Sequence, residues 1–368
     1  MIIDRVEIIH LRVPLKDSFC ISSGDISEKD SVVLRVCSEG LIGYGEAPAR
    51  YCPIYSYETT QTCVHILKDF LIPRILNKDI EDMSLVEKEF NFIRGHNVAK
   101  AGLERALWDI LAQKMELPLY KLVGGNKDSI PVGVSIGIQN SVPELLGKIE
   151  GFLNQGYQRI KAKIKPGWDI NVVDMIRKEF GNILLMVDAN AAYSLEDIHL
   201  LQKLDERNLL MIEQPLGWND LINHATLQKR LRTAICLDES IKDLDDTKAA
   251  VKLGSCKIIN VKSPRVGGLL QAKKIHDFCL RNNIPTWCGD MLELGIGAAH
   301  NIAIASLPGF NLQNDIAPSN RYFIDNIINP RIVLNKDGTI HVPQNIGLGF
   351  EVDDRKIQKF TVTRITID

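Results

Sequence analysis

Apolar and polar positions change rhythm along the chain. Residues 3–14 alternate apolar and polar, as a strand with one buried face does. SVVLRVCSEGLIGYGEAPA (31–49) keeps the alternation and predicts a hairpin turning at Ser38-Glu39-Gly40. SFCISSGDISEKD (18–30) and RYCPIYSYET (50–59) read as loops beside it. From Glu58 to about Lys121, apolar residues recur three and four apart. VHILKDFLIPRIL, LVEKEFNFI and AKAGLERALWDILAQKM therefore predict helices. Gly124-Gly125 closes this part.

From residue 130 onward, strand-like runs alternate with amphipathic segments such as SLEDIHLLQKLDERN from Ser194. Five consecutive runs end near Lys163, Asp188, Glu213, Asp238 and Lys262, at steps of 25, 25, 25 and 24 residues. Each step is long enough for one strand, one helix and two loops. IPVGVSIGI (130–138) precedes the five; IPTWCGDM (284–291) and FNLQNDI (310–316) follow as a seventh and a shorter eighth strand. This predicts an α/β fold, a parallel (β/α) barrel. Three parts are expected: an α+β unit over 1–126, the barrel over 127–318, and a tail over 319–368 that returns to the first unit.

Composition narrows the class. The 368 residues are 45% hydrophobic and 24% charged, with net charge −2, as in a water-soluble globular protein. That balance gives no reason to expect a nucleic acid or membrane partner, and no apolar run approaches a membrane span. MIIDRVEIIHLRVPL lacks a signal-peptide core. The eight cysteines form no CxxC pair. Free thiols in a reducing cytoplasm are expected.

Strand ends of a barrel carry its chemistry, and here they supply two lysines and three acids. Asp188, Glu213 and Asp238 come from successive strands about 4.8 Å apart, close enough to converge on one ion. All-oxygen ligation selects a hard cation, Mg²⁺ or Mn²⁺. A single such acid is more often a helix N-cap; three in phase favour the metal. Asn190 and Glu239 stand beside these acids and could orient them. Lys161, Lys163 and Lys165 share one face of their strand. Lys165 falls at the rim; Lys163, one layer deeper, is the better base, with Lys161 its neighbour. Inward lysines need anionic partners. Lys262, on the sixth strand, lies across the barrel from Lys163 on the second. One amine on each side of a metal-held carboxylate substrate suits proton abstraction at the adjacent carbon.

KAKIKPG, VDAN, IEQP, LDES and INVKSPRVGG, in that order, resemble the enolase superfamily, muconate-lactonizing subgroup. Lysine bases working beside Mg²⁺ are general to that superfamily. VGVSIGIQ, RIKAKIKPGWD, IPTWCGDMLE and GIGAAHNIAIASLPGF are similar to o-succinylbenzoate synthases grouped with N-succinylamino acid (N-acylamino acid) racemases, over nearly the whole chain. The resemblance implies a modified barrel of enolase type with a cap formed by the N-terminal part and the tail. It implies metal ligands Asp188, Glu213 and Asp238, and acid/base lysines Lys163 and Lys262, with Lys161 alongside. It also implies a substrate pocket reached by Phe19, Tyr55 and Ser135, with Arg265 at a position that accompanies racemase competence in relatives.

The expected activity is dehydration in menaquinone biosynthesis. Racemisation, dipeptide epimerisation and muconate cycloisomerisation are the alternatives. A small carboxylate substrate and a homo-oligomer are expected. The chain departs from its relatives at Asp290, Leu294 and Ala299, where they commonly have Gly, Ser and Arg. Asp290 adds a carboxylate that could repel an anionic tail or recruit a cation.

Overall fold

The computed structural model describes residues 1–22 and 24–368. Three long strands open the chain: β1 (Arg5–Ile21), β2 (Gly24–Ser38) and β3 (Leu41–Ala47). The last strand of the chain, Thr361–Ile367, joins β1, giving an antiparallel sheet whose order is last strand, β1, β2, β3. The β2–β3 turn falls where the sequence predicts. Glu39 and Gly40 take φ of 51° and 85°, as a two-residue hairpin turn requires.

Residues 18–22 and 24–30 are not the expected loop. Phe19 pairs with Ile26 and Cys20 with Asp25, so the hairpin arm continues past a register shift between Pro14 and Phe19. Their polar character reflects an arm that leaves the sheet body, where a strand need not bury a full face.

The helix Asn97–Lys114 lies against β3 at backbone distance. A Cβ on Gly45 would stand 2.0 Å from Gly102 O, and one on Gly43 2.3 Å from Ala106 O. Glycine is required at both contacts. This helix is buried on nearly every side, charged residues Glu104, Arg105 and Asp109 included, because it also meets the barrel segments near Ser263 and Leu269.

The barrel is a seven-stranded parallel sheet whose spatial order is the sequence order. Before it, β4 (Ser129–Pro131) pairs with Thr339–His341 of the tail. The barrel strands are β5 (Val134–Ile136), β6 (Arg159–Lys163), β7 (Leu184–Asp188), β8 (Met211–Glu213), β9 (Ala234–Leu237), β10 (Ile258–Val261) and β11 (Thr286–Cys288).

The expected eighth strand is not one. Residues 310–316 make only isolated bridges, Phe310 to Thr286 and Asn314 to Val132. The Asn314 side chain takes ladder bonds itself: it accepts from Cys288 N at 2.8 Å and donates to Pro131 O at 3.0 Å. The segment thereby bridges the two edges of the sheet without a regular strand. Met186, Met211, Cys236, Ile258 and Trp287 pack together as a small apolar cluster. The Trp287 ring lies 4.8 Å beneath Lys161 Nζ and so floors the mouth. Among the described residues, no helix is long and apolar enough to cross a membrane.

Candidate active site

Short parallel strands present their last residues at one mouth, and register decides which meet. Lys163 is paired with Asp188, and Asp188 with Glu213, but Glu213 is paired with Cys236. Asp238 therefore lies two residues further along, just past β9. Equal spacing in sequence does not mean equal height, because closing a barrel staggers its strands.

Lys163 Nζ donates to Asp188 Oδ2 at 2.5 Å and to Asn190 Oδ1 at 2.7 Å. Lys262 Nζ lies 2.7 Å from Asp238 Oδ2 and 3.0 Å from the Tyr55 hydroxyl. With β7, β8 and β9 between them, the two amines flank the acids. Lys161 points at the centre, 3.1 Å from Glu213 Oε2, 3.6 Å from Asp188 Oδ2 and paired with Asp315. Lys165 is exposed at the rim.

The electrostatics follow from burial and neighbours. Burial opposes the charge of Lys161, but Asp315, Glu213 and Asp188 outweigh it and hold the amine well above its ordinary range. Burial likewise opposes Lys262, and Asp238 and Tyr55 overcome it. Asp238 is held low despite burial, by Lys262 and Arg265. Glu213 is pushed up to about 8 by burial and by Asp188, and Glu239 to about 7 by burial and Asp238. Acids that repel one another in a dry mouth favour added positive charge.

Among the described residues, no three His, Cys, Asp or Glu side chains are grouped as around a bound metal ion. Amines lie against each of the three acids, and the charges of the acids are met by lysine instead. The donor set still suits a hard divalent cation. It is all oxygen, carried on successive strands and self-repelling, and the buried Glu239 Oε2 beside it has no partner. Asn190 joins the two sides: its Nδ2 donates to Glu239 Oε1 at 3.0 Å, and its backbone N–H to Asp188 Oδ1 at 2.9 Å. It sits at φ 44°, a conformation Asn tolerates.

A cleft with about 520 Å³ of empty space opens over the lysines. Phe19, Tyr55, Ser135 and Asp290, expected at a pocket, line it together with Lys161, Lys163 and Lys262. Arg265 does not line it. It is buried behind Asp238, donating to that carboxylate, to Ile241 O at 2.7 Å and to Asn260 O at 2.5 Å.

Several contributors escaped the sequence reading. Asp315 holds Lys161 and, at 2.6 Å, Arg159. Asn260 Nδ2 donates to Glu213 Oε1 at 2.8 Å. Tyr322 lines the cleft. Asp315 lies in the run read as an eighth strand, so extending the search for strand-end acids there would have found it. Asn260, two residues before Lys262, shares that lysine's face by the same period-two rule.

A barrel with acids and lysines converging at its strand ends is the architecture of an enzyme that moves protons beside a carboxylate. Residues 144–356 match the family described as enolase C-terminal domain-like, and residues 3–124 the mandelate racemase/muconate lactonizing enzyme N-terminal domain. The chain belongs to this family of the enolase superfamily.

It is 48% identical to an o-succinylbenzoate synthase of Geobacillus stearothermophilus, over 98% of this chain and 96% of the relative. It is 38% identical to an N-succinylamino acid racemase of Thermus thermophilus, over 98% of each. A crystal structure of an enolase-superfamily member from Listeria innocua superposes with a TM-score of 0.96 at 42% identity, covering 100% of this chain and 99% of that one.

Proposed function

We propose that the protein is an o-succinylbenzoate synthase of menaquinone biosynthesis, dehydrating a succinyl-hydroxycyclohexadiene carboxylate. The observation that carries this reading is one amine on each flank of three buried acids: Lys163 against Asp188, Lys262 against Asp238. The full-length similarity to synthases supports the substrate. Asp188, Glu213 and Asp238 would hold Mg²⁺, or Mn²⁺ in its place, which when bound acts as a Lewis acid toward the substrate carboxylate.

Lys163 Nζ takes the proton from the carbon next to that carboxylate. The electron pair of the broken C–H bond moves into the ring as the C–O bond breaks. The Lys163 ammonium gives its proton to the departing hydroxyl, so water leaves and the ring becomes aromatic. Lys262 keeps its charge and stabilises the negative charge that develops in between. Asn190 fixes the direction of Lys163, and Tyr55 that of Lys262. Residues 1–126 with the tail form the cap, residues 127–318 the catalytic barrel. A cytoplasmic homo-oligomer completes the reading, in keeping with eight free cysteines.

Racemisation of N-succinylamino acids is the second reading. It is favoured by one feature: both amines line the same cleft and could exchange a proton from opposite faces. Incubation with Mg²⁺ in D₂O tests both, using the cyclohexadiene substrate beside N-succinylamino acids. Aromatic product reports the synthase; α-deuteration with loss of optical rotation reports the racemase. Activity on neither substrate class would defeat both.

A further inference from the structure

We propose that Arg50 is the seat of a second carboxylate of the substrate, remote from the one beside the acid trio. This rests on the functional reading above and adds the anchor for the far end of the substrate.

Arg50 follows β3 and enters the loop that crosses the barrel mouth. Arg50 lines the same cleft as Lys163 and Lys262. Its Nη1 is fully buried and has no hydrogen-bond partner, and among the described residues the group has no carboxylate partner. It rests only on the Tyr55 ring, 5.7 Å from the centroid. Guanidinium is charged at any physiological pH, and its fixed fork of donors matches a carboxylate. The residue is half-buried, and its orphaned Nη1 is a donor that an incoming anion would satisfy.

The other charges around the cleft direct that anion to Arg50. Lys29 is already committed, donating to Pro48 O at 2.7 Å and to Met291 O at 3.0 Å. Arg50 also borders an outer groove with Asp25, Glu28 and Asp30. Asp30 is taken by His10 at 2.7 Å and Arg12 at 3.2 Å. Asp290 also lines the cleft and makes no hydrogen bond to the described residues. Burial, Asp315 and Glu293 push its carboxyl up to about 7.

The second carboxylate could end a succinyl arm or belong to an acidic side chain. The experiment separates these sources by measuring Mg²⁺-dependent kinetics of wild type, Arg50→Gln and Arg50→Lys. The probes are the cyclohexadiene substrate, N-succinylphenylalanine, N-acetylglutamate and N-acetylphenylalanine. Loss of a charge-assisted pair predicts that Arg50→Gln lowers kcat/KM about 10- to 100-fold for a two-carboxylate substrate relative to N-acetylphenylalanine. The loss is expected mainly in KM, with partial rescue by Arg50→Lys. N-succinylphenylalanine responding identifies the acyl arm; N-acetylglutamate responding identifies the side chain.

An equal loss on all probes would mean a structural role and overturn the proposal, as would no change on any. If the wild type turns over none of them, the functional reading fails by itself. Calorimetric binding of N-succinylphenylalanine and N-acetylglutamate against N-acetylphenylalanine, in wild type and both variants, then decides Arg50 separately.

Discussion

Two sets of buried acids, one in the seam between cap and barrel and one at the barrel mouth, differ in what they bind. In the seam, Glu46 accepts from Leu294 N at 2.9 Å, Gly297 N at 2.8 Å and Ser31 Oγ at 2.8 Å. Glu104 accepts from Leu269 N at 2.8 Å, Leu270 N at 2.9 Å and Trp108 Nε1 at 2.7 Å. Inside the cap, Glu58 does the same for Val98 N and Ala99 N. Each serves the N-terminus of a helix, where backbone amides point outward and the dipole favours negative charge. At the mouth, Asp188, Glu213 and Asp238 each meet, beside fixed partners, a lysine amine at the end of a flexible chain.

Perturbed acidity does not separate the two sets. Burial pushes Glu104 up to about 7 in the seam, much as burial and Asp238 do for Glu239 at the mouth. What separates them is the partner. Backbone amides are fixed and leave nothing to exchange, whereas an amine can release a carboxylate to a cation or take a proton. A shifted carboxyl is therefore a pointer to function only when its partners can move.

Breaking this contrast should hurt activity most at the mouth. Lys163→Ala should lower kcat by about 100- to 10,000-fold, the usual worth of a positioned proton-transfer group, with the circular-dichroism melt kept near that of the wild type. Lys262→Arg should abolish racemisation while sparing part of any dehydration, read by polarimetry and by aromatic product. Asn190→Ala, which removes a contact to both Lys163 and Glu239, should weaken Mg²⁺ affinity roughly 10- to 100-fold by calorimetry.

Seam substitutions should reverse the pattern. Glu104→Ala strands two buried amides and should cost about 1–3 kcal/mol in denaturant unfolding, with kcat per folded molecule little changed. The smallest effect is a pH dependence. The folded pKa of Glu104 lies above its ordinary 4.5, at about 7, so the folded state binds the extra proton in between. Its contribution to stability is present below pH 4.5 and lost as pH rises through about 7. Relative to wild type, Glu104→Gln should flatten the melting-temperature profile over that window.

The mouth was largely legible in the sequence and the seam was not. Lys163, Asp188, Glu213, Asp238 and Lys262 declare themselves through strand ends at a near-constant step, a local pattern. Glu46 and Glu104 carry no local signal, because their partners lie 248 and 165 residues away. Packing, not local pattern, shows that Arg50 Nη1 is buried without a partner. The 18–30 arm was missed because its polar residues hide a pairing that only the neighbouring strand reveals.

The sequence by itself determined the repeating strand–helix unit and the residues placed at its ends, since both depend on spacing within one unit. The tertiary structure decided the two-residue stagger that sets Asp238 beyond Glu213, and the use of Asn314 in place of an eighth strand. It also put Arg265 behind Asp238 and Arg50 in the cleft. These are set by barrel closure and cap docking, which join residues hundreds of positions apart and leave no local pattern to read.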